Sequence, residues 1–353
     1  MIIKNIEIKN FRNISEASLV PCDGMNVICG ENAQGKTNTL EAIWLFSGAK
    51  SFRGAKEKEL LKLGCQKSVL NLSFIGEGIE KSAKIEIAEK RTAFLNDNKL
   101  KAPSLLAGNL NAIVFSPIDL RIVTDGPGAR RKFLDLAIGQ LYPAYIDILR
   151  DYTRAVQQRN SIIKDMKFNS SVSSLLDAFE NEIAQKGEKI VLYRNKYIEK
   201  INYFLNDIYS GISNGKETLQ TEYISSIGFN FKEILYIRRS QDMLSGVTSV
   251  GPHRDDISFK INGLDAKNYG SQGQKRSIAL SLKLSEAEVI KNNVGECPIC
   301  LMDDVMSELD PYRQNYVLNH IKGMQTFLTC CDPENYKNMV AGRVFTVKNG
   351  SVE

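Results

Sequence analysis

Residues Gly30-Glu31-Asn32-Ala33-Gln34-Gly35-Lys36-Thr37 match G-x-x-x-x-G-K-[ST] in full, with Asn38 following. That spacing suits phosphate binding. Gly30 and Gly35 let the backbone turn its N–H groups inward, Lys36 can reach β- and γ-phosphates, and the Thr37 hydroxyl can ligate Mg²⁺. A second constellation, Ile299-Cys300-Leu301-Met302-Asp303-Asp304, runs four apolar residues into two acids. At the end of a buried strand, Asp303 is placed to hold Mg²⁺ directly or through water, and Asp304 to orient or deprotonate an attacking water. Taken singly, the first pattern also occurs by chance as a Gly-rich turn, and the second is open to reading as a strand that ends in a solvated acidic turn. Together they predict a site for ATP and Mg²⁺. Two further segments accompany them. Ser271-Gln272-Gly273-Gln274 precedes a helix-like run from Lys275 to Ile290, and Ser307-Glu308-Leu309-Asp310 follows the acids after two residues. Alone, the first of these is a helix cap.

A phosphate loop needs a strand before it and a helix after it. Met25 to Cys29 reads as a buried strand, and Lys36 to Phe46 as a helix whose N-terminal dipole faces an anion. Much of the early chain reads as sheet: Ile2 to Phe11 alternates, Ala17 to Pro21 and 69–76, 84–88 and 92–95 are strand-like, and Asn96-Asp97-Asn98 signals a hairpin. Leu110 to Phe115 adds another apolar run. From about Val123 to Arg239 the pattern is helical, with breaks near Asn169 to Ser174 and Ser210 to Gly215. Sheet signals return at Asp256 to Ile261, and Val344 to Lys348 with Asn349-Gly350 suggests a closing hairpin. The expectation is one α/β head, formed by 1–122 and 240–353, with a helical arm subdomain inserted at 123–239. Sustained a/d heptads are missing, so the insert is expected to be compact and not a coiled coil.

At 353 residues the chain exceeds what one core usually supports, which fits such an insertion. Its net charge of +5 is a mild excess, weak support for a polyanionic partner. No apolar run is long enough to span a bilayer, and the start alternates like a strand instead of a signal peptide, so a cytoplasmic protein without a membrane partner is expected. Seven cysteines without framework spacing fit a reducing compartment. Cys297-Pro-Ile-Cys300 with Cys330-Cys331 is read as buried small residues, since Cys300 lies in a strand-like run and adjacent cysteines cannot form a chelating turn; no metal beyond Mg²⁺ is expected. His253, beside Arg254, Asp255 and Asp256, is read as structural at least as readily as functional.

The order of phosphate loop, S-x-G-Q before a helix, strand with paired acids, and S-x-L-D resembles the P-loop ATPase heads of the ABC superfamily. There the S-x-G-Q serine and helix N-terminus cap the γ-phosphate bound to the opposite subunit. Eight segments in order extend the likeness: KNFRNI (9–14), GENAQGKTN (30–38), FSPIDL (115–120), ARRKFLD (129–135), QRN (158–160), GPHRDD (251–256), SQGQKR (271–276) and LMDDVMSELD (301–310). Across nearly the whole chain they resemble the RecF family of bacterial recombination mediators, relatives of SMC-type heads. The resemblance implies an ATP-dependent homodimer on duplex DNA and ss/dsDNA junctions, a slow DNA-stimulated ATPase working with RecR and RecO at single-strand gaps to help load RecA. It also suggests a phosphate contact from Arg12.

Departures are few. Asp304 stands where transporter heads carry a longer Glu, and the strand ending at Cys331 lacks their switch histidine, leaving its γ-phosphate sensor open. Gly126-Pro127-Gly128 before ARRKFLD is slightly off the usual residues. Arg130, Arg131, Arg238 and Arg239 are the candidate DNA contacts, although charge pairs on helices are usually solvated faces. The rival reading is the ATP-binding subunit of an ABC transporter. Such heads favour L-S-G-G-Q, whereas here Gly270 precedes Ser271 and Gln272 follows it, and the insertion is larger. A small-molecule P-loop kinase has no use for S-x-G-Q or S-x-L-D.

Overall fold

The structure, a computed structural model, describes residues 1–165, 173–228, 230–331, 342–348 and 350–352. Its first sheet is antiparallel, in the order β2-β1-β4-β5-β6-β7, built from β1 (Ile2–Phe11), β2 (Ile14–Leu19), β4 (Ser68–Gly76), β5 (Ile79–Ile87), β6 (Arg91–Leu95) and β7 (Asn98–Lys99). Alternation decides which face is inside: Ile3, Ile6, Ile8 and Phe11 of β1 are all buried, as are Leu70, Leu72 and Phe74 of β4. Asn96 and Asp97, both at positive φ, make the tight β6–β7 turn that their sequence signals.

The second sheet runs β15-β14-β3-β13-β12-β8, from β3 (Met25–Cys29), β8 (Ala112–Phe115), β12 (Ile299–Asp303), β13 (Thr326–Cys330), β14 (Arg343–Lys348) and β15 (Ser351–Val352). All its pairings are parallel except β14 with β15. Its central strands are covered on both faces, which is why they read as unbroken apolar runs. Ile28, Leu301 and Phe327 join the core beneath α1 (Lys36–Leu45) and the antiparallel sheet. Val27, Cys29, Met302 and Leu328 pack on the opposite side with α8 (Gln272–Val294) and α9 (Pro311–His320).

Between these halves lie α2 (Arg121–Thr124), α3 (Pro127–Leu141), α4 (Pro143–Asp165) and α5 (Ser173–Ile212). They share a core with β9 (Leu219–Ile224), α6 (Phe231–Ser245), β10 (Asp256–Ile261), β11 (Leu264–Asp265) and α7 (Ala266–Tyr269). At 1.5 Å per residue, α5 is roughly 60 Å long. Its middle turns bury Ile183, Ile190 and Tyr197 in that helical core, while Ile208 and Ile212 at its end reach the core under the parallel sheet.

Two details differ from the sequence reading. Leu219–Ile224, inside the block read as helical, is a strand paired antiparallel with β10, its Leu219 and Tyr223 facing inward. The boundary read at 239 falls inside α6, so 123–239 does not end where an element does. The break at Asn169 to Ser174 lies outside the described residues up to 172, as does Asn349 of the closing turn.

Candidate functional site

Parallel pairing sets Asp303 opposite Thr329 and Cys330 opposite Cys29, so the carboxyl ends of β12, β13 and β3 form one edge. Ligands of open α/β sheets bind outside such an edge. The 30–37 loop leaves β3 there and enters α1. Gly30 (φ 156°) and Gly35 (φ 123°) adopt backbone that favours glycine. A Cβ on Gly30 would overlap the Val347 carbonyl, and one on Gly35 would come 2.9 Å from the Asn13 side-chain oxygen. Glu31, Asn32 and Ala33 are exposed along the rim, Gln34 is half-buried, and Ala33 is at φ 65°. Lys36, largely buried, folds its ammonium back over the loop, donating to Gly30 O at 2.5 Å and Glu31 O at 3.3 Å. The fit to a triphosphate follows: a glycine-shaped cradle, one ammonium over it, and a helix N-terminus beneath.

Thr37 Oγ1 donates to Asp303 Oδ1 at 2.6 Å. This pair offers the hydroxyl and carboxylate oxygens that Mg²⁺ takes. Burial raises the Asp303 carboxyl above its ordinary range, against the lowering effect of its hydrogen bonds from Thr37 and Thr329. An adjacent cation would favour its ionised form. Asp304 is exposed, at φ 54°, held in that turn by its N–H donating to Thr329 Oγ1 at 3.0 Å. Ser307 Oγ donates to Asp304 O at 2.9 Å and Oδ1 at 3.2 Å, tying the S-x-L-D segment to the second acid. Asp310 caps α9, accepting from Arg313 N–H at 3.0 Å, which holds its carboxyl below the usual range.

Several contributors escaped the sequence reading. Asn13 donates to Ala33 O at 3.0 Å and accepts from Asn38 Nδ2 at 2.7 Å, pinning the loop from the β1–β2 turn. Arg53 donates to Asn38 Oδ1 at 2.9 Å. Arg12 stands in the same corner, but its guanidinium grips buried Glu41, at 3.0 and 3.1 Å, and Glu59 O. Arg12, Asn13, Asn38, Arg53 and Lys62 line a cavity of about 470 Å³ beside the loop. At the strand end without a switch histidine, Cys331 Sγ lies 3.2 Å from both Lys36 Nζ and Asn32 Oδ1. Only membership of KNFRNI pointed to Asn13; Arg53 and Lys62 carried no local signal, whereas Arg12 and Asn38 were expected here.

The S-x-G-Q segment has partners of its own. Ser271 caps α8 by accepting from Gln274 N–H at 3.2 Å, and Gln274 Oε1 accepts from Ser271 N–H at 2.7 Å. Gln272 is exposed and Gly273 half-buried. Arg276 pairs with Glu308 at 3.2 Å, setting S-x-G-Q beside S-x-L-D.

The cations expected on DNA fare unevenly. Arg130 is buried, its guanidinium held by Asp256 at 2.5 and 3.0 Å, so it is not a surface contact. Arg131 donates to Asp255 O at 2.7 Å. Arg239 is clasped by Asp177 and Glu180, leaving Arg238, bonded to Gln241, as the exposed member. His253 accepts or donates at 2.7 Å with Tyr152 OH and at 3.0 Å with Thr248 O, inside the helical block. Cys300 lies opposite Thr326, at the far end of the strand pair from Cys330, whose sulfur is 3.1 Å from that of Cys29. Among the described residues no cluster of three or more potential metal ligands occurs.

Comparison with known proteins decides the family. A profile of the AAA ATPase domain matches residues 1–104. The DNA replication and repair protein RecF of Agathobacter rectalis is 39% identical over 360 residues, spanning 100% of this chain and 99% of that protein. The same protein of Lachnospira eligens is 38% identical over 359 residues, with equal coverage. The chain belongs to the RecF family. A solved structure of the recombination mediator RecF with ATP, 36% identical, superposes with a TM-score of 0.93 over 100% of this chain and 97% of its own. A Pyrococcus furiosus SMC head, 16% identical with a TM-score of 0.57, shares the fold. The chain thus stands among the DNA replication and repair proteins of the RecF family, its α/β fold is shared with SMC heads, and the transporter reading gives way. None of its described helices is long and apolar enough to cross a membrane.

Proposed function

We propose that the protein is a nucleotide-switched dimeric clamp that binds DNA at single-strand gaps and, with RecO and RecR, helps load RecA. The observation that carries this reading is the division of the site. Phosphate loop, Thr37 and Asp303 meet at one sheet edge, whereas Ser271 and Gln274 find their partners in each other and in Glu217. A helix N-terminus dressed as a phosphate cap but turned to other partners suits capping of the ATP held by a second copy, in a C2 dimer with two nucleotides.

Within one copy, Lys36 and the loop N–H groups would hold the phosphates, and Thr37 with Asp303 would hold Mg²⁺, which would supply charge neutralisation on the phosphates. Asp304 orients the attacking water. Its exposed position and short side chain favour slow hydrolysis, fit for a switch. DNA is held through its phosphates. A cleft of about 980 Å³ between the α1 end, β6 and α4 is lined by seven Lys and Arg side chains against Glu57, Glu89 and Asp135. Of these cations Lys50, Lys90, Arg131, Lys132 and Arg154 have no ion-pair partner among the described residues, which makes the cleft rim, with the expected Arg131 in it, a better phosphate surface than Arg130 or Arg239. A cytoplasmic location goes with this role.

Turnover of ATP by the full chain, measured with and without duplex DNA and no small substrate, tests it. Acceleration by DNA supports the clamp; a rate indifferent to DNA at saturating concentration counts against it.

A further inference from the structure

The end of α5 reaches the S-x-G-Q segment, which the clamp reading places at the partner's nucleotide, and α9 behind S-x-L-D. After Ile212 the chain turns through Asn214 and Gly215, both at positive φ, with Gly215 N–H donating to Ser210 O at 2.8 Å. That turn brings Glu217 to the start of α8. Glu217 Oε1 accepts from Gln274 Nε2 at 2.7 Å, and its Oε2 accepts from Tyr209 OH at 2.6 Å. Tyr209 is fully buried on α5, and burial, then the Glu217 carboxylate, keeps its hydroxyl protonated. The Gln274 amide is therefore held at both ends, by Glu217 on its nitrogen and by Ser271 N–H on its oxygen. Its rotamer in turn fixes the cap that Ser271 forms. A second clasp lies two residues further along α5. Tyr312 OH, on α9 just after Asp310, donates to Gly211 O at 2.8 Å, and a Cβ on Gly211 would overlap the Tyr316 ring.

We propose that Glu217 is a positioning residue for the S-x-G-Q segment, holding Gln274 and Ser271 in the geometry that a second copy's ATP requires. Through Tyr209 it also ties the end of α5 to that segment. Glu217 touches no nucleotide itself. Two neutral donors on one carboxylate are charge-assisted, so its loss leaves a buried phenol and a signature amide without an acceptor. The inference rests on the trans-capping reading given above.

The test uses the full chain, with nucleotide affinity read by fluorescent-ATP titration and dimerisation by sedimentation velocity with ATP. Glu217→Ala is expected to keep monomer nucleotide affinity within about twofold and to weaken ATP-dependent dimerisation by roughly tenfold, the scale of a lost charge-assisted bond. Glu217→Gln, which can still accept from Gln274 and donate to Tyr209, should recover most of the dimer. Tyr209→Phe, removing one of the two bonds and leaving the motif untouched, should give an intermediate loss. Dimerisation of Glu217→Ala at wild-type strength, while Ser271→Arg fails to dimerise, overturns the positioning role and leaves the clamp reading standing. Wild-type dimerisation by Ser271→Arg as well overturns the clamp reading. Loss of monomer nucleotide binding in Glu217→Ala marks a general structural prop and also overturns the proposal.

Discussion

The proposed function gives Lys36 and Asp304 different work although they sit at one sheet edge. Lys36 lies over the loop, where the proposed function has it hold phosphate in ground state and transition state alike, whereas exposed Asp304, held at φ 54° by Thr329 and Ser307, would act on the water. Lys36→Met is therefore expected to lower ATP affinity by at least about tenfold, the cost of a charged contact to phosphate. Asp304→Asn should leave affinity near wild type and stop turnover. Titrations and single-turnover hydrolysis on both variants separate the roles; equal losses of ATP affinity would contradict them. These residues were legible in sequence because the chemistry needs them at fixed local spacing. Arg130 and Arg239 were not, because what decides a cation's task is its partner. For Arg130 that partner is Asp256, 126 residues away, and no local pattern announces it.

The elements tell the same story at larger spacing. The hairpin at Asn96-Asp97 and the phosphate-loop helix followed from turn chemistry and period, both local. β9 was lost inside a helical block, although Leu-Gln-Thr-Glu-Tyr-Ile alternates, because its hydrogen bonds come from β10 more than thirty residues on. The GPHRDD segment shows how such distant contacts create pH dependence. His253 sits between Tyr152 OH and Thr248 O, and burial, with nearby Arg254 and Arg131, holds its imidazole below the ordinary range, resisted by the Thr248 bond and Asp255. Its folded-state value being depressed, the unfolded chain takes up a proton first as pH falls below about 6.5. Stability from this group is thus full above that pH and is lost as pH falls toward the folded-state value, by at most about 1.4 kcal/mol near pH 5.5. Thermal melts from about pH 7.5 to 5.5 should show a shallower slope for His253→Gln than for wild type. Parallel slopes would show that the imidazole titrates alike in both states.

For the whole molecule, the claim is that two copies share each ATP and that a basic cleft meets DNA. Reversing charge at Lys50, Lys132 and Arg154 together should weaken duplex binding by an order of magnitude or more and flatten its dependence on log salt by about two to three. ATP affinity should not change, since none of the three lines the 30–37 loop. Unaltered binding and salt slope would move the DNA surface elsewhere. The dimer is the deeper claim. ATP bound by one copy's loop and capped by the other's Ser271 would stabilise the dimer by mass action, so association should follow nucleotide occupancy. Ser271→Arg places a bulky cation at the cap while leaving Lys36, Thr37 and Asp303 untouched. Sedimentation velocity with ATP is the most direct measurement: wild type should shift to a dimer and Ser271→Arg should stay monomeric with its nucleotide bound, whereas a Ser271→Arg dimer as tight as wild type would contradict the shared site.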